Sequence, residues 1–337
     1  MLLESGSSKM APTSEPAGWT LVTGGAGGIG HRLVKSLRAR GQKVRVLDNL
    51  SSGTRGNLRG FAGDPGIEVI EADVLDAGAL GSAIRGVDFV WHLAANPDVR
   101  RGGRETDLDL TQGPVATQRL LEAMRREKVS RIAFSSSSVV YGLPRLFPTP
   151  EDYGPLLPES LYGAAKLACE GLVSAFAHSF GMTAWVFRFA NVCGPGATHG
   201  VIYDFLKKLQ ADPRRLEVLG DGRQRKGYLH VDDCVASMIH LTERTHEPVN
   251  VFNLGPGDTF SVREIAERVV TLTGTNARIE YTGGERGWPG DVPQQDLAIG
   301  RLLSTGFKPR YGSAEVVDLT ILSLMPELGF SPVAPHG

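Results

Sequence analysis

Short apolar segments alternate with amphipathic segments over the first half of the chain. The apolar segments are typical of buried strands, which we predict at residues 20–22, 43–47, 68–70, 87–93, 131–135 and 184–189. The segments between them have helical patterns, and we predict helices at residues 30–40, 77–84, 115–127 and 162–180. Because such alternation builds a parallel sheet covered by helices on both faces, the pattern predicts an α/β fold of the Rossmann-like, doubly wound type.

Beyond residue 190 the pattern becomes mixed, with more Gly and Pro and shorter elements. We predict helices at residues 201–210, 231–242 and 262–273, a strand at 250–254 and a loop-rich segment at 278–293. This division predicts a disordered lead-in at residues 1–18, a nucleotide-binding Rossmann domain at 19–190, and a smaller domain at 191–337, mainly for substrate. Residues 231–273 are expected to pack back on the Rossmann domain.

The charge balance and the cysteines narrow the class of protein. The 337 residues hold 36 Lys and Arg against 37 Asp and Glu, so no basic excess indicates a nucleic-acid or anionic-membrane partner. No run approaches the roughly 18 apolar residues of a membrane span, and residues 1–18 lack the apolar core of a signal peptide. Cys169, Cys193 and Cys234 match no metal spacing. We therefore expect a cytoplasmic protein with reduced thiols, no metal and no membrane partner.

A glycine-rich segment lies between the first predicted strand and the first predicted helix. It runs from Thr23 to Gly30 and reads TGGAGGIG. Glycines allow a tight turn close to a pyrophosphate, and a helix N-terminus offers N–H groups and a positive dipole end. The alternative is an ordinary glycine-rich turn. The context favours a dinucleotide site that includes Gly24, Gly27, Gly28, Ile29 and Gly30.

Asp48 ends the second predicted strand, about 20 residues after the glycines, where a carboxylate binds the hydroxyls of an adenosine ribose. Because a carboxylate there repels a 2′-phosphate, Asp48 favours NAD over NADP, and Arg55 nearby softens that preference. Asp73 and Val74 follow the third predicted strand, in a position suited to adenine. Carboxylates are also common in turns at strand ends, and that is the alternative for both Asp residues.

Tyr162 and Lys166 are four residues apart on a predicted helix, so they lie on one face, a turn from each other. An ammonium in that position favours the tyrosinate form, which makes the phenol a proton-transfer group near neutral pH. Four serines, Ser135 to Ser138, precede the pair. Taken alone, the pair also fits a surface helix, and the serines fit a strand-end turn that satisfies its own backbone.

Together these segments resemble the extended short-chain dehydrogenase/reductase family, and within it the prokaryotic NAD-dependent UDP-sugar 4-epimerases of the UDP-glucose/UDP-galactose type. The resemblance covers residues 19–320 and rests on the glycine-rich segment and on motifs at 48–53, 92–97, 135–142, 162–166, 188–192, 220–222, 228–233 and 286–291. It implies NAD as the cofactor. The NAD-binding residues expected are Gly24, Gly27, Gly28, Ile29, Gly30, Asp48, Asn49, Ser52, Gly53, Asp73, Val74, Leu93, Ala94, Ala95, Tyr162, Lys166 and Phe189.

The resemblance also implies a catalytic trio of Ser137, Tyr162 and Lys166. Tyr162 is expected to remove the proton of a sugar hydroxyl while NAD takes the hydride from the same carbon, and the 4-keto sugar then presents its other face. Lys166 is expected to lower the pKa of Tyr162, and Ser137 to hydrogen-bond the reacting oxygen. Lowering a tyrosine pKa from about 10 to about 7 needs roughly 4 kcal/mol of differential stabilisation.

A nucleotide-sugar site is implied as well, most of it in the C-terminal half. Asn191, Lys226 and Arg286 are expected on the diphosphate, and Asp291 is expected to pair with Arg286 or to hold a ribose hydroxyl. The apolar residues of the same half that are expected under the uridine are Val201, Ile202, Leu216 and Val218. The substrate residues expected are Asn96, Ser137, Ser138, Asn191, Val201, Ile202, Leu216, Val218, Lys226, Arg286 and Asp291.

Four positions depart from the family pattern. Gly28 replaces an aromatic residue, His31 a serine, Gly113 an asparagine, and Lys226 an arginine. One cofactor hydrogen bond is therefore expected to be missing at Gly113, and a point charge replaces a bidentate fork at Lys226. These departures bear on affinity more than on the chemistry.

Two related classes, the 4,6-dehydratases and the UDP-glucuronate decarboxylases, share the Tyr–Lys pair. They place an acidic residue just after the active serine, where this chain has Ser138 and Val139. Epimerisation at C4 of a UDP-hexose is therefore preferred, with a hexosamine, a uronic acid or another nucleotide left open. Outside the enzymes, the alternative is a non-catalytic NAD-binding scaffold. The family also leads us to expect a homodimer through helices 115–127 and 162–180.

Overall fold

The computed structural model describes residues 18–287 and 292–331, which leaves the predicted lead-in outside except for Gly18. The strands are β1 Trp19–Thr23, β2 Lys43–Asp48, β3 Ile67–Glu71, β4 Val87–His92, β5 Arg131–Ser137, β6 Thr183–Phe189, β7 Asn191–Cys193, β8 Arg215–Val218, β9 Arg225–Lys226, β10 Tyr228–His230, β11 Val249–Leu254, β12 Phe260–Ser261, β13 Arg278–Tyr281 and β14 Gln294–Gln295. The α-helices are α1 Gly28–Ala39, α2 Arg55–Leu58, α3 Ala77–Ile84, α4 Val99–Gly102, α5 Leu108–Leu110, α6 Ala116–Arg126, α7 Leu161–Phe180, α8 Val201–Ala211, α9 Val231–Arg244, α10 Val262–Thr273, α11 Gly300–Ser304 and α12 Ser313–Leu324.

The central sheet has the strand order β3-β2-β1-β4-β5-β6-β11, and all neighbouring strands are parallel. The chain therefore builds outward from β1 in one direction and then, from β4 onward, in the other. Parallel strands place all their carboxyl ends at one edge, and the reversal between β1 and β4 leaves a crevice there. The predicted Rossmann-like, doubly wound α/β fold is confirmed.

The two faces of the sheet are covered by separate apolar clusters. In β1, Leu21 packs into the cluster with α3, α6 and α7, while Val22 packs into the cluster with α1 and α9. Both side chains are fully buried, because successive residues of a strand point to opposite faces. Burial on both sides explains why the strands of this chain read as continuous apolar runs.

A third apolar cluster forms a smaller unit around the parallel pair β8 and β13. Helices α8, α10 and α12 cover this pair. Residues 231–273 are predicted above to pack back on the Rossmann domain. α9 and β11 pack with the sheet, whereas α10 belongs to the smaller unit. Ile265, Ala266 and Val269 form the buried stripe of α10 and lie in the third cluster.

The helix predicted at residues 115–127 begins differently from the prediction. A π-helical turn, Thr111–Val115, precedes α6, and Pro114 lies within it. Proline has no N–H to donate, so a widened turn accommodates it where a regular helix would lose a hydrogen bond. A Cβ on Gly113 would lie 3.2 Å from the Cβ of Ala165, so the turn packs closely against α7.

A buried ion pair joins α7 to the sheet. Arg188 of β6 donates to both carboxylate oxygens of Glu170, at 3.0 and 2.7 Å, and both side chains are less than one-tenth exposed. Ser136 of β5 donates to the same carboxylate at 2.5 Å. Arg188 also donates to the hydroxyl of Tyr141 at 3.0 Å, and that hydroxyl donates to Asn253 of β11 at 2.7 Å.

Removal of one partner from this network should be costly, because the other charge stays buried without compensation. We expect Glu170→Gln to lower the free energy of unfolding by about 3 kcal/mol, measured by urea denaturation. The matched control is Glu105→Gln, which breaks an Arg101–Glu105 pair whose side chains are about half exposed, and it should leave the unfolding midpoint nearly unchanged. Equal midpoints for the two variants would contradict a structural role for the buried pair.

Candidate active site

The candidate active site lies at the carboxyl edge of the sheet, where the strand order reverses. β1 ends at Thr23 and leads into the glycine-rich turn, and β4 ends at His92. β5 ends at Ser137, and α7 begins at Leu161, one residue before Tyr162. The parallel sheet brings these ends together in the position where open α/β sheets bind ligands.

The glycine-rich turn is tightly packed against β4 and against its own helix. Gly24 has a φ of +70°, and a Cβ there would lie 2.7 Å from the backbone nitrogen of Ala94. A Cβ on Gly30 would lie 2.1 Å from the carbonyl oxygen of Gly24. No side chain caps α1 at Gly27, so the N–H groups of the first helical turn can bind an anion. This geometry suits the pyrophosphate that the sequence predicts.

His31 stabilises the same turn. Its Nδ1 lies 2.9 Å from the carbonyl oxygen of Gly27, and Arg32 donates to its Nε2 at 3.1 Å. Burial lowers the pKa of His31, so a neutral imidazole that donates from Nδ1 and accepts at Nε2 satisfies both contacts. A histidine therefore contacts the turn at the position where the family has a serine.

Asp48 lies next to a cavity of about 210 Å3 at the ends of β2 and β3. One carboxylate oxygen accepts from the backbone N–H of Ala26 at 2.9 Å, and the other accepts from Leu50 at 2.8 Å. The side chain is therefore held in one orientation between the glycine-rich turn and the following loop. The residues that line the cavity are Asp48, Leu50, Arg55, Leu58, Arg59, Val69 and Glu71.

The residues predicted for adenine occupy two kinds of environment. The Asp73 carboxylate accepts from the amide of Asn49 at 2.7 Å and from that of Gln112 at 3.3 Å. The side chain of Val74 is buried in the core, so only its backbone can face a ligand. The other predicted cofactor residues are the exposed Ser52, Gly53 packed on Ala26, the half-buried Leu93, Ala94 and Ala95, and the buried Phe189.

Tyr162 and Lys166 lie on the first two turns of α7, as predicted. The Lys166 Nζ is buried, donates to the carbonyl oxygen of Ser135 at 2.6 Å and lies 5.7 Å from the centre of the Tyr162 ring. Burial lowers the pKa of Lys166 to about 8. Burial, and after it the carboxylate of Asp109, raises the pKa of Tyr162. The protein around Tyr162 thus favours the neutral phenol, opposite in direction to the effect that we expected from Lys166.

Asp109 is a part of the site that the sequence analysis missed. Its side chain is only 3% exposed, and its Oδ1 accepts from the amide of Asn96 at 2.9 Å. Its Oδ2 has no hydrogen-bond partner among the described residues. Burial raises the pKa of Asp109. In the sequence, an Asp between Leu108 and Leu110 reads as the polar side of a surface helix, and no local signal marks it as buried.

The two serines at the end of β5 face different surroundings. Ser137 is half-buried, and its hydroxyl accepts a long hydrogen bond of 3.4 Å from Val139, so it can still donate to a ligand. Ser138 is buried, donates to the carbonyl oxygen of Phe189 at 2.7 Å and accepts from Gln295. The Ser138 hydroxyl, predicted as a substrate contact, is thus engaged by two protein groups, and that contact stays a prediction.

Behind the site, a chain of buried polar groups connects β1, β4, α6 and α7. His92 Nδ1 lies 2.8 Å from the Thr23 hydroxyl, and its Nε2 lies 3.1 Å from the Thr117 hydroxyl. Thr117 in turn donates to the thiol of Cys169 at 3.2 Å. Burial lowers the pKa of His92 to about 3, so the ring is neutral and serves to position the ends of the strands.

The predicted diphosphate residues lie along the smaller unit. The Asn191 amide donates to the carbonyl oxygen of Gly227 at 3.1 Å and to Gln295 at 3.3 Å. Lys226 is half-buried on β9, whose neighbours are β12 and β14. Arg286 pairs with Glu159 at 3.3 Å, next to the start of α7. Asp291, predicted beside Arg286, lies outside the described residues.

Three residues predicted under the uridine face the wrong way for side-chain contact. Ile202, Leu216 and Val218 are buried in the third apolar cluster. Because strand side chains alternate between faces, the half-exposed residues of this segment are Glu217 and Leu219. Of the predicted uridine residues, only Val201 keeps a half-exposed side chain.

Two kinds of feature are missing from the part of the chain that the structure describes. In residues 18–287 and 292–331, no three His, Cys, Asp or Glu side chains come together in a way that would hold a metal ion. Over the same residues, no helix has both the length and the apolar character to cross a membrane.

The chain is similar to known nucleotide-sugar enzymes in sequence and in fold. The model of the NAD dependent epimerase/dehydratase family matches residues 20–255. The UDP-glucose 4-epimerase of Mycolicibacterium smegmatis is 33% identical over 317 residues, which cover 90% of this chain and 97% of that protein.

Solved structures show the same similarity. A crystal structure of UDP-galactose 4-epimerase is 39% identical, with a TM-score of 0.83 and coverage of 92% of this chain and 99% of the other. The UDP-glucose 4-epimerase of Thermotoga maritima, solved with UDP-glucose, is 30% identical with the same TM-score and the same coverage.

A pair of alanine substitutions in the glycine-rich turn tests the packing described above. Gly30→Ala should lower the free energy of unfolding by about 2 kcal/mol, because its Cβ has no room beside the Gly24 carbonyl. Gly28→Ala is the matched control: a Cβ there meets nothing within 4 Å, so its stability should stay within about 0.5 kcal/mol of the parent. Thermal unfolding of both variants measures this, and equal effects would refute the packing.

Proposed function

The chain belongs to the NAD-dependent epimerase/dehydratase family, and we propose that it inverts C4 of a UDP-hexose through a transient 4-keto intermediate. It is an isomerase of nucleotide sugars that uses NAD, by its similarity to UDP-glucose 4-epimerases over nearly the whole chain. One observation carries the proposed chemistry. Tyr162, the buried ammonium of Lys166 and the available hydroxyl of Ser137 meet at the same sheet edge as the glycine-rich turn.

The residues at this edge fit NAD. The uncapped start of α1 suits the pyrophosphate, and Asp48, fixed by two backbone N–H groups, suits the ribose hydroxyls. The cavity beside Asp48 lies at the ends of β2 and β3, where the adenosine half of a dinucleotide binds in such sheets. When bound, NAD would supply the hydride acceptor and donor for C4 and a positive ring charge.

Tyr162 is the proposed base, and its environment sets how it works. Burial and Asp109 hold its pKa high, so the phenol is protonated until positive charge offsets them. The Lys166 ammonium is the nearby cation of the chain itself, and its hydrogen bond to Ser135 keeps it on the same helix face as Tyr162. The Tyr162 oxygen takes the proton of the sugar hydroxyl as the hydride leaves, and it gives the proton back after the hydride returns.

Ser137 and Ser138 divide their roles in this proposal. Ser137 donates to the reacting oxygen and stabilises the charge that develops on it. Ser138 is fully engaged by Phe189 and Gln295, and it offers no carboxylate for elimination of water or for decarboxylation. This arrangement supports simple epimerisation.

The nucleotide is proposed to bind across the smaller unit. Arg286, Lys226 and Asn191 are the proposed diphosphate ligands, with Arg286 exchanging Glu159 for the phosphate. A guanidinium suits a phosphate because it offers paired donors in one plane. Tight binding at the diphosphate leaves the sugar loosely held, which the exchange of its two faces requires.

We also propose a cytoplasmic homodimer that forms through α6 and α7. Val115, Leu161 and Phe180 lie at the ends of these helices and are exposed apolar side chains, of the kind that a helical interface covers. The thiols of Cys169, Cys193 and Cys234 are all unpaired, as expected for a reducing compartment.

The function is tested by incubation of the purified protein with UDP-, GDP- and dTDP-sugars without added NAD, followed by NMR of the sugar product. A C4 epimer of a UDP-hexose is expected, and a free keto sugar would instead indicate a dehydratase or an oxidase.

Tyr162→Phe should lower turnover at least about 100-fold, within the range of general acid–base catalysis, while the variant still holds NAD. Near-parental activity of Tyr162→Phe would overturn the assignment of the base.

The electrostatic role of Asp109 gives a separate prediction. Because its carboxylate raises the pKa of Tyr162, Asp109→Asn should lower that pKa and move the acidic limb of the pH–kcat profile to lower pH by roughly half a unit or more. Asp107→Asn is the control, since Asp107 is exposed and lies two residues away on the same segment. No shift, or a shift to higher pH, would contradict the coupling.

A further inference from the structure

The cavity beside Asp48 contains charges of both signs. Asp48 and Glu71 are its carboxylates, and Arg55 and Arg59 are its guanidinium groups. Asp48 ends β2 and Glu71 ends β3, and the two residues are register partners in the parallel pair. The two residues therefore lie side by side at the sheet edge, and Arg55, at the start of α2, contacts Glu71.

Asp48 cannot turn away from this cavity, because Ala26 and Leu50 hold its two oxygens through their backbone N–H groups. An acid fixed in this way accepts hydrogen bonds from ribose hydroxyls and repels a 2′-phosphate. Arg55 has the opposite effect, because a guanidinium binds phosphate through paired charge-assisted hydrogen bonds. The preference of the cavity therefore depends in part on whether Arg55, one of its two guanidinium groups, is available.

Arg55 is engaged by Glu71. Its Nη2 lies 2.7 Å from the Glu71 carboxylate, and this contact joins two side chains that are 74% and 44% exposed. The pair offsets the charge of Arg55, one of the two cations that line the cavity with Asp48, and it holds that guanidinium toward β3. A 2′-phosphate would have to compete with Glu71 for Arg55 and would meet two carboxylates in doing so.

We propose that Glu71 is a specificity-determining residue, which keeps the ribose cavity selective for NAD over NADP by holding Arg55. This inference rests on the cofactor site described under the proposed function. It assigns to a residue on the neighbouring strand a part of the selectivity that Asp48 exerts directly.

Competition between the two dinucleotides tests the proposal on the full-length protein. Parent and Glu71→Gln are dialysed against equimolar NAD and NADP, and the bound nucleotides are released with acid and quantified by chromatography. The ratio of bound NADP to bound NAD should rise about fivefold in Glu71→Gln, as expected for the loss of one exposed ion pair. The increase should shrink in 1 M salt, because exposed charges are screened.

Two further variants separate this effect from a general loss of negative charge. Glu68→Gln removes a carboxylate on the same strand that pairs with Arg45 at 2.7 Å and does not line the cavity, so it should keep the parental ratio. Arg55→Met alone should also keep it, while the double variant Glu71→Gln/Arg55→Met should lose the increase.

A parental ratio in Glu71→Gln, with NAD still bound, would overturn the inference and leave the cofactor site intact. An equal increase in Glu68→Gln, or a persistent increase in the double variant, would overturn it as well. If the parent bound neither dinucleotide, the proposed cofactor site itself would fail, and the role of Glu71 would fail with it.

Discussion

The position of α7 on the sheet depends on two buried charges that bond to consecutive residues of β5. Lys166 donates to the carbonyl oxygen of Ser135, and Glu170 accepts from the hydroxyl of Ser136. Lys166 and Glu170 are four residues apart, about 6 Å along the helix axis, so the two contacts hold one face of α7 against the end of β5. Arg188 compensates the Glu170 charge, which would otherwise be too costly to bury. The orientation of Tyr162 follows from these contacts.

In a site of this kind, charged groups have a strong effect on the pKa values of their neighbours. Around Tyr162, desolvation and the Asp109 carboxylate favour the neutral phenol, while the Lys166 ammonium lies within 6 Å of its ring. Coulomb interactions become stronger as the local dielectric constant falls. A charge in this site therefore changes the pKa of Tyr162 more than the same charge on the surface would. A high starting pKa also makes the tyrosinate a strong base once it forms. The same residue can then return its proton, which a reaction that ends on an isomer of its substrate requires.

The sequence predicts those parts of the site that depend on local order. The glycine-rich turn, Asp48 and the Tyr162–Lys166 spacing each belong to one strand end or one helix turn, and all of them lie at the carboxyl edge of the sheet. Contacts that depend on tertiary packing were harder to predict. Asp109 is buried and accepts a hydrogen bond from Asn96, thirteen residues earlier in the chain, and such a contact is not visible in the local sequence.

Two other kinds of contact also depend on tertiary packing: the face of a strand on which a side chain lies, and the residue with which it pairs on the neighbouring strand. Leu216 and Val218 are predicted under the uridine, but both side chains point into the third apolar cluster. The alternation of side chains along a strand does not by itself say which of its two faces is buried. The interaction of Glu71 with Arg55 depends on the register of β3 against β2, which the sequence of neither strand specifies. Residues 231–273 form a continuous stretch of predicted elements. Only the buried stripe of α10 shows that this helix joins the third apolar cluster.

The packing around Ser138 gives a physical argument for the proposed epimerisation over dehydration. Its hydroxyl donates to the carbonyl oxygen of Phe189 and accepts from Gln295, so it joins β5 and β6 to the segment that carries β14. A carboxylate at this position would place a negative charge against that carbonyl oxygen in a buried environment, and such a charge is costly without a partner. Elimination chemistry would therefore require the junction of the two units to be rebuilt as well as an acid to be added. The proposed restriction to reversible oxidation at one carbon would in this sense be a property of the packing behind Ser137 as much as of the groups that face the sugar.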